Sequence, residues 1–261
     1  MSGYAAKSRY RGATAEAYNA IRSGHAKWRR ELEIMDTVAA GLETSASVLD
    51  VPIGTGRFTP SFKAGNHPIL GVDISRDMLL ETRSRADGPE GVTQLLVGDA
   101  ETLPLRDGSL DYVVCMRLLN WVSLDILRQL TAEFLRVSRR GLILEIRVSR
   151  PIELRGLSSV TELLLLRVRS WGVRLFGRAR QIARPLAHGL LRLRANGATM
   201  AMTQLGYTIH SEADVEALFE ELGLIPIERH LVDDRVSHAD MQTHPYFVYV
   251  LARDKALAKP V

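Results

Sequence analysis

A short apolar run that breaks into a glycine turn is the segment of this chain best suited to bind a ligand. Residues 47–58 read SVLDVPIGTGRF, so a predicted strand leads into Gly54-Thr55-Gly56 and then into a predicted helix. Glycine has no Cβ, and a ligand can therefore lie close against this backbone. The N–H groups of such a turn and helix start can receive a carboxylate or a phosphate. This order of elements predicts a crevice at the carboxyl end of a strand, where open α/β sheets bind ligands.

Two acidic residues follow the next predicted strands. Asp73, seventeen residues beyond Gly56, ends the second strand and could accept both hydroxyls of a ribose. Asp99, which follows the third strand, could accept a hydrogen bond from an exocyclic amine such as that of adenine. The alternatives are a helix N-terminal acid for Asp73 and a solvated turn acid for Asp99. The dinucleotide-binding pattern Gly-x-Gly-x-x-Gly is not met, because position 59 is Thr.

The elements that must position these residues alternate as in a doubly wound α/β fold. The predicted strands cover residues 47–52, 69–73, 93–97, 111–116, 141–147, 224–231 and 246–253. The predicted helices cover residues 12–40, 57–64, 75–86, 124–138 and 212–221. Ser75 and Ser211 are predicted N-caps, and the last two strands are expected to pair antiparallel.

Four ordered segments resemble the small-molecule branch of the class I S-adenosylmethionine-dependent methyltransferases, with a type 11 or type 25 methyltransferase domain. They read VLDVPIGTGRF, LGVDIS, VGDAETLPL and LDYVVCMRLLNWV. The resemblance covers about residues 44–148 and implies a Rossmann-like, seven-stranded, mostly parallel sheet with an antiparallel last strand. It also implies S-adenosyl-L-methionine as cofactor and S-adenosyl-L-homocysteine as product.

The resemblance implies a division of the chain into three parts. Residues 1–43 are expected to form a helical N-terminal lid, and residues 44–148 with 207–255 the cofactor-binding domain. Residues 149–206 are expected to form a helical insertion that caps the substrate.

The resemblance also assigns residues to the cofactor. These are Tyr18, Arg22, Asp50, Pro52, Gly54, Thr55, Gly56, Arg57, Asp73, Ile74, Met78, Asp99, Ala100, Glu101, Cys115 and Met116. In this assignment Asp73 holds the ribose hydroxyls, Ile74 packs on the adenine, and Asp99 with Ala100 contacts the adenine edge. Tyr18 and Arg22, one helical turn apart, face the methionine carboxylate or the acceptor; the alternative is an exposed helix face.

Two adjacent positions depart from the family. The family often has Gly at the position of Pro52 and Cys or Ala at the position of Ile53. Proline removes an N–H donor, and Ile53 adds a stiff, branched side chain beside the turn.

Methyl transfer requires that the acceptor be aligned with the cofactor, and it requires a base only if the acceptor must lose a proton. His188 and His210 are the candidate catalytic residues, with His230 as a further candidate; the alternative for each is a helix cap or a surface position. The chain shows no convincing spacing for a metal site, and we expect no metal. No nucleophile elbow is present, which excludes a Ser-His-Asp hydrolase of that type.

The basic character of the chain is concentrated in the predicted insertion. Residues 151–200 hold nine Arg and two Glu, whereas the whole chain has a net charge of only +4. Leu164, Val168, Trp171 and Leu175 form an apolar stripe at helical spacing, and Arg167, Arg174 and Arg178 repeat beside it.

Three interpretations of this segment stay open. The helix packs on the core with solvated arginines, or the arginines bind an anionic acceptor. Alternatively, residues 157–195 contact a membrane surface, a lipid-like acceptor or a partner protein. Binding of nucleic acid is disfavoured, because the segment has few aromatic residues for base stacking.

Composition sets the remaining expectations. Cys115 is the single cysteine, which excludes an intramolecular disulfide. The sequence shows no signal peptide and no apolar run long enough for a transmembrane helix, so a cytoplasmic location is expected. The predicted function is methylation of a small or lipid-like, potentially anionic molecule on O, N or C. The alternatives are a catalytically silent cofactor-binding subunit and an RNA methyltransferase. The RNA methyltransferase is disfavoured, because Cys115-Met116-Arg117-Leu118 occupies the positions at which base-methylating relatives have a different tetrad.

Overall fold

One mixed β-sheet organises the part of the chain that the computed structural model describes, which is residues 12, 15, 18, 24–85, 94–151, 208–234, 236–237 and 242–253. The strands are β1 (Val48–Asp50), β2 (Ile69–Asp73), β3 (Gln94–Val97), β4 (Leu110–Cys115), β5 (Ser138–Pro151), β6 (His210–Ser211), β7 (Ile225–Asp233), β8 (Val236–Ser237), β9 (Gln242–Thr243) and β10 (Tyr246–Ala252). Seven of them lie in the order β3-β2-β1-β4-β5-β10-β7. Strands β1 to β5 are parallel, and β10 runs antiparallel to β5 and β7. The predicted mostly parallel sheet with an antiparallel last strand is confirmed.

Helices cover both faces of this sheet. They are α1 (Ala26–Gly41), α2 (Thr59–Ala64), α3 (Arg76–Arg85), a 3-10 helix (Leu119–Trp121), α4 (Leu124–Val137) and α5 (Glu212–Glu221). Along β4, Val113 and Cys115 pack with α4 and α5, whereas Val114 packs with α1 and α2. Because both faces are buried, the central strands are continuously apolar rather than alternating.

Two of the strands whose bounds differ from those predicted, β1 and β5, do so for reasons that the structure shows. Strand β1 ends at Asp50, and the backbone N–H of Val51 still donates to the carbonyl of Val114 at 2.9 Å. Pro52 then has no N–H with which to continue the ladder. Strand β5 continues to Pro151 because β6 and β9 pair with its last four residues. These partners are distant in sequence, and β8 and β9 lie in a segment that the pattern predicted as a loop.

The two predicted serine caps have different outcomes. The hydroxyl of Ser75 accepts the backbone N–H of Met78 at 3.3 Å. Ser211 stands at the N-cap position of α5, but its side chain makes no capping hydrogen bond, and its backbone pairs with Ser149 of β5. Glu212 and Asp214 occupy the first turn of α5, where carboxylates favour the positive end of the helix dipole.

Most of the predicted insertion, together with most of residues 1–23 of the predicted lid, lies outside the described residues. Within the described ranges, no helix is both long and apolar enough to cross a lipid bilayer.

Candidate functional site

A cavity that is open to solvent lies at the carboxyl ends of β1, β2, β3 and β4. This is the edge of a parallel sheet at which ligands bind in open α/β folds. The described residues that line it are Tyr18, Val51, Pro52, Ile53, Gly54, Thr55, Arg57, Phe58, Asp73, Ile74, Met78, Gly98, Ala100, Met116, Arg117, Leu118 and Trp121.

The cavity brings together most of the residues predicted to bind the cofactor. Ten of them line it, namely Tyr18, Pro52, Gly54, Thr55, Arg57, Asp73, Ile74, Met78, Ala100 and Met116. Five others do not line it, namely Asp50, Gly56, Asp99, Glu101 and Cys115. Arg22 lies outside the described residues. The remaining lining residues, such as Phe58, Leu118 and Trp121, were not singled out from the sequence.

The two glycines of the turn are needed for different reasons. Both have positive φ, +59° at Gly54 and +66° at Gly56, where other residues are strained. A Cβ on Gly54 would meet no described protein atom within 4 Å, whereas a Cβ on Gly56 would lie 2.6 Å from Cγ2 of Thr82 on α3. Gly54 therefore leaves room in the cavity wall, and Gly56 lets the turn pack on α3.

The N–H groups of this turn are already bonded within the protein. Gly54 donates to Oδ2 of Asp73 at 3.0 Å, and Gly56 donates to the carbonyl of Ile53 at 3.1 Å. Both N–H groups therefore have protein partners, and the expectation that the turn receives a ligand carboxylate stays a prediction. An anionic ligand group that leaves these bonds intact uses other donors.

Asp73 joins the turn to β2 and α3. One carboxylate oxygen accepts the N–H of Gly54, and the other accepts the N–H of Ser75 at 2.8 Å. The side chain lines the cavity, although the residue is only 5% exposed. Burial raises the pKa of Asp73 to about 6, against the opposing effect of these N–H donors. Each carboxylate oxygen can accept more than one hydrogen bond, so Asp73 can hold the turn and still accept ligand hydroxyls.

Asp50 lies in the core behind the turn rather than in the cavity wall. It is 1% exposed, and its Oδ2 has no hydrogen-bond partner among the described residues. Burial, with a further contribution from the charge of Asp73, raises the pKa of Asp50 to about 8. The carboxyl group is thus largely protonated at neutral pH.

Asp50 makes the stability of the protein depend on pH. An unfolded Asp loses its proton near pH 4, whereas folded Asp50 keeps it up to about pH 8. The stabilisation is therefore complete below about pH 4 and is lost as the pH rises through 8, at about 1.4 kcal/mol per pH unit between these limits. We expect Asp50→Asn to remove this slope in urea unfolding between pH 5 and 7.

A matched control comes from Asp111, whose pKa is lowered to about 2 by hydrogen bonds from Ser47 and Arg139, despite burial. Because Asp111 is ionised in both states above pH 5, Asp111→Asn should leave the slope unchanged. Equal slopes for the wild type and Asp50→Asn would contradict the protonated state of Asp50.

The branched side chain of Ile53, one of the two departures from the family, has a place in the fold. It lies against Gly71 of β2, where a Cβ on Gly71 would collide with it. Its backbone N–H donates to the carbonyl of Val72 at 2.9 Å. Ile53 thus occupies space that a larger residue at position 71 would take, and the turn keeps its link to β2.

A cluster of buried charges lies between α1 and the cavity. We define the charge cluster as Lys27, Glu31, Arg57, Arg117 and Glu145. Glu31, on the inner face of α1, is 0% exposed. Its Oε2 receives Nη1 of Arg57 at 2.5 Å and Nη2 of Arg117 at 2.6 Å. Burial raises the pKa of Glu31, but the charges of Arg117, Lys27 and Arg57 outweigh this effect and lower it.

Glu145 of β5 is the second acid of the charge cluster, and it is also 0% exposed. Its Oε2 accepts the backbone N–H of Arg117 at 2.9 Å, and its Oε1 lies 2.6 Å from Nζ of Lys27. Arg117 has φ of +62°, a conformation that costs a non-glycine residue energy. The bond from Glu145 holds this backbone, so that the Arg117 side chain lines the cavity while it contacts Glu31.

The two arginines also share an aromatic surface. The guanidinium carbon of Arg57 lies 3.7 Å from the ring centroid of Trp28, and that of Arg117 lies 5.1 Å from it. Such stacking of guanidinium on indole is favourable. Together with Glu31, it fixes both cations at the cavity wall.

The predicted catalytic histidines are not among the described lining residues. His210 is 3% exposed, and its Nε2 lies 3.1 Å from the carbonyl of Leu119. Burial lowers the pKa of His210. His230 lies on β7 with Nε2 2.6 Å from Glu228, and His188 lies outside the described residues. A catalytic role for any of them stays a prediction.

The sequence analysis missed Arg117, Glu31, Lys27 and Glu145 as part of the site. Arg117 could have been found, because it follows the end of a predicted strand beside the crevice. Glu31 could also have been found, because it is a charged residue on the apolar face of the helix that contains Trp28 and Met35. Nothing local indicates that Glu145 is buried beside them.

Sequence comparison relates the central part of the chain to known proteins. A family described as a methyltransferase domain matches residues 48–141. The chain is 32% identical to a malonyl-[acyl-carrier protein] O-methyltransferase of Methylococcus capsulatus over 136 residues, which are 50% of this chain and 46% of that protein. It is 34% identical to a demethylmenaquinone methyltransferase of Staphylococcus aureus over 92 residues, 34% of this chain and 36% of that protein. The chain thus spans less than half the length of these curated relatives.

Structural comparison extends the likeness over more of the chain. The crystal structure of magnesium protoporphyrin IX methyltransferase from Synechocystis PCC 6803 with bound SAM is similar with a TM-score of 0.60, at 13% identity over 95% of both chains. The same enzyme with bound SAH gives a TM-score of 0.59, at 14% identity over 95% of this chain and 98% of that one. At these identities the likeness shows the fold.

Proposed function

We propose that the chain is a methyltransferase acting on a small or lipid-like molecule. The premise is that residues 48–141 form a methyltransferase domain of the class I family, whose cofactor is S-adenosylmethionine. The observation that carries the proposal is the cavity at the carboxyl ends of β1 to β4, with Gly54 and Asp73 in its wall. Its position is that of the ligand crevice in open α/β sheets.

The residues present fit an adenosyl ligand. Gly54 leaves open space where a side chain would project, and Asp73 offers carboxylate oxygens for the ribose hydroxyls. Ile74, Met78, Ala100 and Leu118 supply an apolar wall against which a purine can pack. Asp99 does not line the cavity, so its contact with the adenine edge stays a prediction.

When bound, S-adenosylmethionine supplies a methyl group on an activated sulfonium. The protein then has to bind the acceptor, align it and exclude water, which can lower the barrier by about 7–11 kcal/mol in favourable cases. The apolar wall formed by Phe58, Met116 and Trp121 suits the exclusion of water. Arg57 and Arg117 add positive charge to the wall and favour an anionic acceptor.

A catalytically silent cofactor-binding subunit is the second candidate. It is favoured by the absence of His210 and His230 from the described residues that line the cavity. A transfer to an ionised or electron-rich acceptor, by contrast, needs no base. The described residues therefore fit transfer to an acceptor of that kind as well.

Transfer of a labelled methyl group tests the proposal. We would incubate the protein with methyl-labelled cofactor and with the acceptor types of its relatives: a malonyl thioester of acyl-carrier protein, demethylmenaquinone and magnesium protoporphyrin IX. The proposal expects labelled product and S-adenosylhomocysteine with at least one acceptor class, and background levels with Asp73→Ala. Thermal stabilisation by the cofactor without any transfer would favour the silent subunit. Stabilisation by a nicotinamide dinucleotide instead would contradict both.

A further inference from the structure

The charge cluster carries more positive than negative charge at the wall of the cavity. It contains three cations (Lys27, Arg57 and Arg117) and two carboxylates (Glu31 and Glu145). The side chains of the cations are 17%, 8% and 16% exposed, and both carboxylate side chains are 0% exposed. A buried charge without a counter-charge is costly. An anion in the adjoining cavity would balance the cluster.

Two guanidinium groups in this cluster have donors to spare. Among the described residues, Nε of Arg57 and Nη1 of Arg117 are buried without a hydrogen-bond partner. Both side chains line the cavity. Their remaining nitrogens are held by Glu31 and, for Arg57, also by the carbonyl of Trp28. The arginines are thus fixed in place, and each retains one nitrogen that has no hydrogen-bond acceptor among the described residues.

The glycine turn does not compete for this role. The N–H groups of Gly54 and Gly56 are bonded to Asp73 and Ile53. A carboxylate brought into the cavity therefore meets the positive charge of the two arginines rather than unbonded N–H groups of Gly54 and Gly56. Arginine is well suited to it, because its planar donors match the geometry of a carboxylate.

We infer that Arg57 and Arg117 form a carboxylate-binding subsite in the wall of the cavity. The inference rests on the proposed function for the occupant of the rest of the cavity. The carboxylate comes from one of two sources, the amino-acid half of the cofactor or the acceptor. Glu31 and Glu145 are positioning residues for this subsite: Glu31 fixes both guanidinium groups, and Glu145 holds the backbone of Arg117.

Calorimetric titration of the Arg117→Gln variant tests the subsite. Three probes are used: S-adenosylhomocysteine, its decarboxylated analogue S-adenosyl-3-thiopropylamine, and 5′-methylthioadenosine. If the cofactor supplies the carboxylate, the variant should bind S-adenosylhomocysteine about 10- to 100-fold more weakly, since charged hydrogen bonds of this kind contribute that much. Its affinity for the two probes without a carboxylate should be unchanged. The control is Arg128→Gln, which removes an exposed arginine paired with Glu221.

The second arm applies to the acceptor as the source. Protein saturated with S-adenosylhomocysteine is titrated with octanoate and with octanamide, which differ only in the charge of the head group. A preference for octanoate in the wild type that Arg117→Gln abolishes supports the subsite with the acceptor as its ligand. Two results would refute the subsite. One is that Arg117→Gln changes neither the affinity for S-adenosylhomocysteine nor the preference for octanoate. The other is that the wild type shows no preference for a carboxylate in either arm.

Two further measurements keep these outcomes distinct. Arg117→Gln leaves Glu31 with fewer partners, so the charge-balanced double variant Glu31→Gln/Arg117→Gln is titrated in parallel. It should lose at least as much affinity, because Arg57 also loses its contact with Glu31. Binding of 5′-methylthioadenosine to the wild type reports on the adenosyl pocket alone. If that binding is present while the carboxylate effects are absent, the subsite fails and the proposed function stands. If it is absent, the proposed function fails as well.

Discussion

Replacement of Asp73 by alanine is expected to weaken the binding of S-adenosylhomocysteine by about 10- to 100-fold, which corresponds to about 1–3 kcal/mol for loss of a buried hydrogen-bond partner. Asp73 lines the cavity and is fixed by N–H bonds from Gly54 and Ser75. The carboxylate therefore stands where it can accept ribose hydroxyls at no cost in rearrangement. Calorimetry gives the change in affinity.

The ribose contact can be isolated with a ligand that lacks one hydroxyl. The 2′-deoxy analogue of S-adenosylhomocysteine should bind the wild type more weakly than the parent compound, whereas Asp73→Ala should bind the two equally. A merely structural role for Asp73 would lower both affinities and leave their ratio unchanged. Asp125→Ala, which alters an exposed acid on α4 (94% exposed), is the control and should bind like the wild type.

The pH dependence of binding gives the same contact a second signature. Because the pKa of Asp73 is raised to about 6 in the free protein, part of the population is protonated at pH 5. The hydroxyls of a ribose prefer the ionised acceptor, so affinity should rise between pH 5 and 7. In Asp73→Ala this contribution should be absent.

Replacement of Glu31 by alanine is expected to lower the free energy of unfolding by about 3–5 kcal/mol, the range for breaking a buried ion pair from one side. Glu31 is 0% exposed and contacts Arg57, Arg117 and, at 3.5 Å, Lys27. Its removal leaves three cations close together with Glu145 as the remaining acid of the charge cluster. Urea unfolding at pH 7 measures the change.

Glu33 is a matched control on the same helix. It pairs with Arg30 at 3.2 Å, but its side chain is 64% exposed, and exposed pairs contribute about 0–1 kcal/mol. Glu33→Ala should therefore cost little, although it removes the same charge from α1. If the two variants were destabilised equally, the charge cluster would not hold α1 against the sheet.

Local chemistry accounts for what could be predicted from the sequence. A glycine turn after a strand, an acid at the end of the next strand and the alternation of strands with helices are patterns within short segments, and parallel strands bring their ends to one edge. For this reason Gly54, Asp73, Ile74 and Met116, which were all assigned to the cofactor, line one cavity. Gly56 was assigned to the cofactor as well, but it does not line the cavity, and the side chain against which it packs, Thr82, is visible only in the folded chain.

What the tertiary structure decided concerns residues distant in sequence. Arg117 and Glu31 are 86 positions apart in the sequence and lie at hydrogen-bond distance. The last residues of β5 are in a strand because they pair with β6 and β9, which follow them by about 60 positions or more. A buried charge or an extended strand depends on which partners the fold brings to it, and that depends on packing rather than on neighbours in the chain. The position of His210 follows the same rule: its residue type allows catalysis, but its burial and its contact with the carbonyl of Leu119 are visible only in the folded chain.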